Sequence, residues 1–121
     1  MTRIVAAGAL AALLLAGTAH AQQAAYMWSG TGTNVAGATK CGSYKMKIDV
    51  TVDGSAVKGV FLQEGRTERR FEAAMAAGGA FKTKAKLDGG TTMDVSGTIK
   101  DGASKILLDG YCKFGGPLTK K

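Results

Sequence analysis

Histidine is almost absent from this sequence. The single one among 121 residues is His20, in an N-terminal segment that we expect to be removed. The rest of the chain therefore lacks the commonest general base and a common metal ligand. Acidic residues fall mostly at turns, as in Asp53-Gly54 and Asp101-Gly102, where a solvated carboxylate is expected. We predict no catalytic residue, no metal site, no cofactor and no enzyme activity; an enzyme whose site is invisible in the sequence remains the alternative.

Cysteine and proline are also scarce, with two and one copies. An even cysteine count in an exported protein favours a disulfide, here Cys41 to Cys112, and we place both residues at strand positions. Closing a loop of roughly 70 residues would stabilise the fold by on the order of 4 kcal/mol. Two thiolates without a histidine make a poor zinc site, and thiol exchange lacks its C-x-x-C spacing. Pro117 is expected outside the strand ladders.

Only one long apolar run occurs, from Ile4 to Ala16. It is shorter than the roughly 20 residues that span a bilayer. Arg3 precedes it and Ala19-His20-Ala21 follows it, which is the pattern of a secretory signal peptide. We therefore predict a signal peptide over residues 1–21 and one domain over residues 22–121, periplasmic or secreted and not membrane-spanning. An N-terminal anchor helix is the alternative.

After this segment, apolar and polar residues alternate with period two, which indicates half-buried β-strands. Asp-Gly and Gly-Gly pairs between the runs supply the positive φ angles of tight hairpins. We predict an all-β antiparallel meander of seven to eight strands, with strands at 25–33, 42–52, 56–64, 67–75, 80–87, 91–99 and 104–114. The segment 66–77 is rich in helix formers, so a helix is its alternative, although the neighbouring strands favour a strand.

Glycine recurs on the apolar side of these strands, two residues after a large apolar one. The four cases are Trp28-Ser29-Gly30, Val57-Lys58-Gly59, Val95-Ser96-Gly97 and Leu108-Asp109-Gly110. Such glycines allow a strand to coil and a large side chain to cross over it, here from a tryptophan or a phenylalanine. We therefore expect a small barrel or barrel-like sandwich. The alternative is that a ligand approaches the backbone there.

The interior of such a fold is predicted to be filled by side chains rather than by a ligand. Its expected members are Met46, Ile48, Val50, Val52, Phe61, Phe81, Leu87, Met93, Val95, Ile99, Ile106, Leu108 and Phe114. An outer-membrane barrel is disfavoured, because the alternating lysines of residues 82–86 would crowd its lumen and no aromatic girdle is present.

Lysine and arginine outnumber aspartate and glutamate by 16 to 9. Alternation places Lys82, Lys84 and Lys86 on one wet face, and Lys45 and Lys47 on that of another strand. These five lysines are the candidate anion-binding residues; Arg66, Arg69 and Arg70 cluster nearby in sequence. A basic surface attracts anionic partners, here lipopolysaccharide phosphates, acidic glycans or anionic lipid heads. A merely solvated surface is the alternative, and nucleic acid is disfavoured because no aromatic row accompanies the lysines.

Several of these motifs resemble small exported β-proteins of Gram-negative, especially alphaproteobacterial, bacteria. They are Trp28-Ser29-Gly30-Thr31-Gly32, the cysteine at 41, Asp53-Gly54 with Val57-x-Gly59, Val95-x-Gly97-x-Ile99 and Gly110-Tyr111-Cys112-x-Phe114. The resemblance covers nearly all of residues 22–121. It implies a disulfide-tied β fold in the periplasm and little about activity. The predicted architecture is also similar in outline to periplasmic protease-inhibitor barrels, by analogy of fold alone.

The expected function is that of a monomeric, non-enzymatic periplasmic or secreted β-protein that binds an anionic or amphipathic envelope component, or a protein. The alternative is an inhibitor of a secreted hydrolase. An inhibitor needs a protruding segment, for which residues 22–26 and 32–40 are the candidates.

Overall fold

The computed structural model describes residues 23–121. The predicted signal peptide lies outside the described residues. Within them the chain is all-β and antiparallel, with three short 3-10 turns at Cys41–Ser43, Ala77–Gly79 and Asp88–Gly90. The nine strands are β1 (Gln23–Thr31), β2 (Lys45–Asp53), β3 (Ala56–Gln63), β4 (Arg69–Ala74), β5 (Ala80–Lys86), β6 (Thr92–Thr98), β7 (Lys105–Asp109), β8 (Lys113–Pro117) and β9 (Thr119–Lys120).

The strands form two sheets that share one core. The first sheet has the order β4-β3-β2-β1-β9 and the second the order β5-β6-β7-β8. Consecutive strands within a sheet pair as hairpins, and β9 joins the far side of β1 through Tyr26–Lys120 and Met27–Thr119. After β8 the chain therefore leaves the second sheet and ends as β9 on the first.

The core follows the predicted alternation closely. In β2 the residues at even positions from Met46 to Val52 are buried, while Lys45 and Lys47 are exposed. Every residue of the predicted interior is buried except Leu87 and Ile99, which are half-buried. The structure adds further members to this core: Tyr26, Val57, Phe71, Ala85 and the two cysteines.

Side chains cover the glycines of the apolar faces. The Trp28 ring lies over Gly30, the Phe71 ring over Gly59 and the Phe81 ring over Gly97, as the aromatic-cover prediction required. Gly110 differs, because Met93 covers it. A Cβ atom built on Gly59 would lie 2.1 Å from Cε2 of Phe71. At this position glycine is needed for space.

Of the two predicted forms, a small barrel and a barrel-like sandwich, the closed barrel is wrong, because neither sheet closes on itself within residues 23–121. Between β4 and β5 the chain turns at Gly78 and Gly79, whose φ angles are +86° and +87°. The Gly79 carbonyl then accepts a hydrogen bond from Ile99 N at 2.9 Å, so β5 is directed toward β6. β4 and β5 meet through the stacked rings of Phe71 and Phe81, 6.5 Å apart, rather than through a ladder.

Where the end of β1 approaches β8, the two sheets are joined at one point by backbone hydrogen bonds. Thr33 N donates to Lys113 O at 2.8 Å, and Lys113 N donates to Thr33 O at 3.0 Å. The arrangement within the described residues is thus a two-sheet sandwich.

The predicted strand 104–114 is also wrong, because a turn divides it. β7 ends at Asp109, residues 110–112 turn, and β8 begins at Lys113. The expectation that Pro117 lies outside the strand ladders is wrong, because it ends β8 and pairs with Lys105. β8 is an edge strand, where the missing N–H of proline is tolerated. The segment 66–77 contains strand β4, which confirms the predicted strand rather than the helix.

The predicted disulfide is confirmed, with a Cα–Cα distance of 5.7 Å between Cys41 and Cys112. Its position differs from the prediction: Cys41 opens a 3-10 turn and Cys112 ends the turn between β7 and β8. The bridge therefore links two connecting segments instead of two strands. Among the described residues, no helix has the length and apolar character needed to cross a membrane.

Candidate functional site

The five candidate lysines lie on the outer faces of two different sheets. Lys82, Lys84 and Lys86 alternate along β5 and are exposed, so the prediction of a wet face is confirmed. Lys45 and Lys47 are exposed on β2, in the first sheet. The two groups therefore form separate basic surfaces rather than one patch.

Ion pairs neutralise part of this charge. Lys84 Nζ lies 2.7 Å from Asp94 Oδ1, and its hydrogen bond and positive charge hold the pKa of Asp94 below its usual value, with help from Lys82. Lys47 Nζ is 4.0 Å from Asp49. Within residues 23–121, Lys82 and Lys105 form no ion pair. Lys86 and Lys113 of the same sheet are also unpaired in this part of the chain, but only Lys82 and Lys105 lie at a groove beside Leu107.

A groove of about 850 Å³ opens beside them, which is within the size range of small-molecule sites. Most of its wall is apolar or small, and Lys82, Lys105, Ser96 and Thr98 supply its polar side chains. Leu107 lies in it with 39% of its surface exposed. We call it the second-sheet groove; its other lining residues are Ala74, Ala76, Ala80, Phe81, Gly97, Ile106, Gly116 and Pro117.

A smaller groove of about 510 Å³ lies on the outer face of the first sheet. Leu62, which is 45% exposed, lies there beside Lys45, Lys47 and Glu64. We call it the first-sheet groove. Here an acidic side chain accompanies the lysines, so its charge is closer to balance.

The end of the sandwich near the disulfide contains a polar cluster of Gln63, Arg69, Tyr111 and Asp88. Gln63 and Arg69 are buried, and the Tyr111 hydroxyl donates to Gln63 Oε1. Arg69 Nη2 donates to Asp88 Oδ2 at 3.0 Å, while its buried Nε has no hydrogen-bond partner among the described residues. Burial raises the pKa of Tyr111, against the opposing charges of Arg69 and Arg66. Arg69 thus points inward, and its guanidinium bonds Asp88 at this end.

The arginines predicted to cluster with the basic surface are therefore separated by the register of β4. Arg69 faces the interior, whereas Arg70 is exposed and lies 2.7 Å from Glu68. Alternation alone indicates this split, because Arg69 shares its face with Phe71.

Of the two segments predicted to protrude, one does not. Residues 23–26 lie in β1, paired with β2, and residue 22 lies outside the described part of the chain. Residues 33–40 form a largely exposed loop whose ends are fixed. Thr33 pairs with Lys113, and Cys41, bonded to Cys112, donates its N–H to Asn34 Oδ1 at 2.9 Å.

The residues that the sequence did not single out are Lys105, Ser96, Thr98 and Leu107. Each has the outward position that alternation predicts, but their common location depends on the register of three strands.

No group of three or more histidine, cysteine, aspartate or glutamate side chains suited to a metal occurs in residues 23–121. The chain matches no family model, no curated protein and no solved structure.

Proposed function

We propose that this chain is a non-catalytic binding protein for an anionic amphiphile of the bacterial envelope, held in the second-sheet groove. The observation that carries the proposal is the combination of an apolar groove with Lys82 and Lys105, which have no ion-pair partner in the described residues. An alkyl chain would remove the exposed surface of Leu107 and Pro117 from water, at about 25 cal/mol per Å². The two ammonium groups would attract the anionic head.

An amphiphile fits this surface better than a purely ionic polymer does. A polymer would use the whole lysine row of β5, but Lys84 is already paired with Asp94. The apolar part of the groove would add nothing to the binding of such a polymer.

Binding can be followed through the single tryptophan, Trp28. Gly116 lines the groove, and a Cβ atom built on it would lie 3.1 Å from Nε1 of Trp28. Titration of the purified protein with monomeric dodecanoate or dodecyl phosphate is expected to change Trp28 fluorescence and to saturate. Dodecyltrimethylammonium, which has the same tail and the opposite charge, is expected to bind at least tenfold more weakly.

The substitution Leu107→Glu is expected to weaken dodecanoate binding at least tenfold, which corresponds to about 1.4 kcal/mol. It removes an apolar contact and places a negative charge in the groove that both lysines line. Leu62→Glu is the matched control, because Leu62 is exposed to a similar extent on the other sheet. If only Leu62→Glu weakened binding, the ligand would be in the first-sheet groove; if neither did, the proposal would be wrong.

The lysine row of β5 is expected to add long-range attraction to anionic surfaces. Replacing Lys82, Lys84 and Lys86 with glutamine should reduce retention on heparin or lipid A and leave folding intact, because all three side chains are exposed. Retention of the unmodified protein should fall steeply as salt rises, since charges are screened over about 8 Å at physiological ionic strength. Equal retention of both proteins would show the lysines to be an ordinary solvated surface.

A second candidate function is inhibition of a secreted hydrolase. The supporting observation is the exposed loop 33–40, fixed at one end by the Thr33–Lys113 pair and at the other by the disulfide. A loop held in this way loses little conformational entropy when it binds a cleft. Tight inhibition of a member of a secreted peptidase panel, lost when the loop is shortened, would support this function; no binding to any member would remove it.

We propose further that the protein is exported and belongs with the small disulfide-tied β-proteins that its motifs resemble. The disulfide supports an oxidising compartment. Expression in a bacterium with an intact secretion pathway is expected to give a periplasmic protein that begins at Gln22. An intact mass that still includes Met1 would contradict both the signal peptide and the compartment.

A further inference from the structure

We propose that the polar end of the second-sheet groove is a phosphate site, formed by Lys82, Lys105, Ser96 and Thr98, for the head group of a monoalkyl phosphate. This inference rests on the proposed function and names its ligand class. Nothing in the sequence pattern alone brings these four side chains together, since they come from β5, β6 and β7.

Strand register places the two hydroxyls between the two cations. Lys82 pairs with Ser96, and Thr98 pairs with Ala80 on one side and with Lys105 on the other. Neighbouring strands lie about 4.8 Å apart, so β5 and β7, on either side of β6, are about 10 Å from each other. Flexible lysine side chains from both flanks can therefore converge on an anion that rests on the hydroxyls of β6.

The next row of residues that face each other across β5 to β8 contains carboxylates, which the row of Lys82 lacks. In that row Lys84 pairs with Asp94, Asp94 with Asp109, and Asp109 with Lys113, so two carboxylates balance two lysines. In the row of Lys82 the corresponding position on β6 is Ser96, and on β7 it is Leu107. The charges in the row of Lys84 are thus balanced, whereas no carboxylate accompanies Lys82 and Lys105 in their rows at the groove.

The hydroxyls are also free to bind a ligand. Within residues 23–121, no side-chain hydrogen bond joins Ser96 or Thr98 to another residue. Both are half-buried and line the groove. A half-buried hydroxyl on a basic, apolar surface is a suitable donor to an oxyanion.

Phosphate fits this donor set better than a carboxylate does. A phosphate monoester has three terminal oxygens and carries close to two negative charges at neutral pH. Two ammonium groups and two hydroxyls can bond these oxygens from several directions, through charge-assisted hydrogen bonds. A carboxylate has two oxygens and one charge, so it would leave donors unused. The alkyl chain would lie over Leu107 and Pro117, which also line the groove.

The test compares the affinities of the processed protein, which is expected to begin at Gln22, for dodecyl phosphate and for dodecanoate. Both are measured by the fluorescence of Trp28. The double variant Ser96→Ala, Thr98→Val removes both hydroxyls and keeps the shape of each side chain. We expect it to bind dodecyl phosphate roughly tenfold more weakly, since hydrogen bonds to charged groups are the strong ones. Its affinity for dodecanoate should change less than about threefold.

Thr92→Val is the matched control, because Thr92 is on the same strand, exposed and away from the groove. It should bind both ligands like the unmodified protein. Lys82→Gln should weaken phosphate binding more than Lys84→Gln, because Lys84 is already paired with Asp94.

The outcomes separate the two proposals. Suppose that the unmodified protein binds both amphiphiles. If the double variant then keeps its affinity for both, or its affinity for both falls by the same factor, the phosphate site is wrong and the amphiphile groove stands. If no amphiphile binds the unmodified protein, both proposals are wrong. If inorganic phosphate binds as tightly as dodecyl phosphate and competes with it, the alkyl chain has no role, and the phosphate-lipid assignment is overturned.

Discussion

Removing the Cys41–Cys112 bridge by the double substitution to alanine is expected to lower the free energy of unfolding by roughly 4 kcal/mol. The two cysteines are 71 residues apart, so the bridge greatly restricts the unfolded chain. A domain of this size has a total stability of about 5–15 kcal/mol, so the variant should be marginally folded. Urea unfolding of the oxidised protein and the variant measures the difference directly.

Reduced protein with both cysteines intact is the control for packing. Both sulfurs are buried, and alanine leaves part of their volume empty. Reduction keeps the sulfur atoms, so it isolates the effect of the cross-link. A loss below about 1 kcal/mol in both proteins would show that the unfolded chain is already compact without the bridge.

The substitution Gly59→Ala is expected to destabilise the protein by about 3 kcal/mol, at the upper end of the effect of overpacking. The added methyl would lie 2.1 Å from Cζ of Phe71. That ring has little room to move, because it is buried and packs against Phe61 on one side and Phe81 on the other. The effect is measured as the shift in the midpoint of urea unfolding.

Gly42→Ala provides the matched control, since a Cβ atom there has no neighbour within 4 Å and Gly42 does not have a positive φ. Its effect should stay within about 0.5 kcal/mol. Adding Phe71→Leu to Gly59→Ala should recover part of the loss, as expected for two residues in contact. Equal stability of the Gly59 and Gly42 variants would mean that the aromatic ring does not cover this glycine.

Much of the fold could be predicted because most strands have one wet and one buried face. In β2 and β5 every other residue is charged or polar, so the pattern predicts both the strand and its orientation. The same alternation puts Arg69 on one face of β4 with Phe71, but Arg69 was expected at the basic surface and is buried instead. The disulfide followed from the cysteine count alone, since two cysteines allow one intramolecular pairing.

The division between β7 and β8 could not be predicted because alternation continues through the turn. Ile106, Leu108, Gly110, Cys112 and Phe114 are all apolar and two residues apart. In the structure the turn bends the chain between Asp109 and Lys113. Cys112 is nevertheless buried at the disulfide, and Phe114 is buried on the core side of β8. A residue buried in a turn and one buried in a strand look alike in the sequence.

The candidate site was predictable only in part, for a related reason. The exposed lysines of β5 are visible from alternation, but the partners of each one depend on the register between strands. Lys84 meets Asp94 and Lys82 meets Ser96, although all four residues lie on strands with similar patterns. Likewise, the open edges of the two sheets depend on the turn between β4 and β5, where only two glycines indicate a change of direction.

The pairing of β1 with β9 has a consequence for the order in which the molecule can assemble. Met27 pairs with Thr119 and Tyr26 with Lys120, so contacts join residues more than ninety positions apart. During synthesis the first strand leaves the ribosome long before its partner is made. Both the disulfide and the bridge between Thr33 and Lys113 also wait for the C-terminal part of the chain. Folding should therefore be slow and largely post-translational, as is typical of proteins dominated by long-range strand contacts.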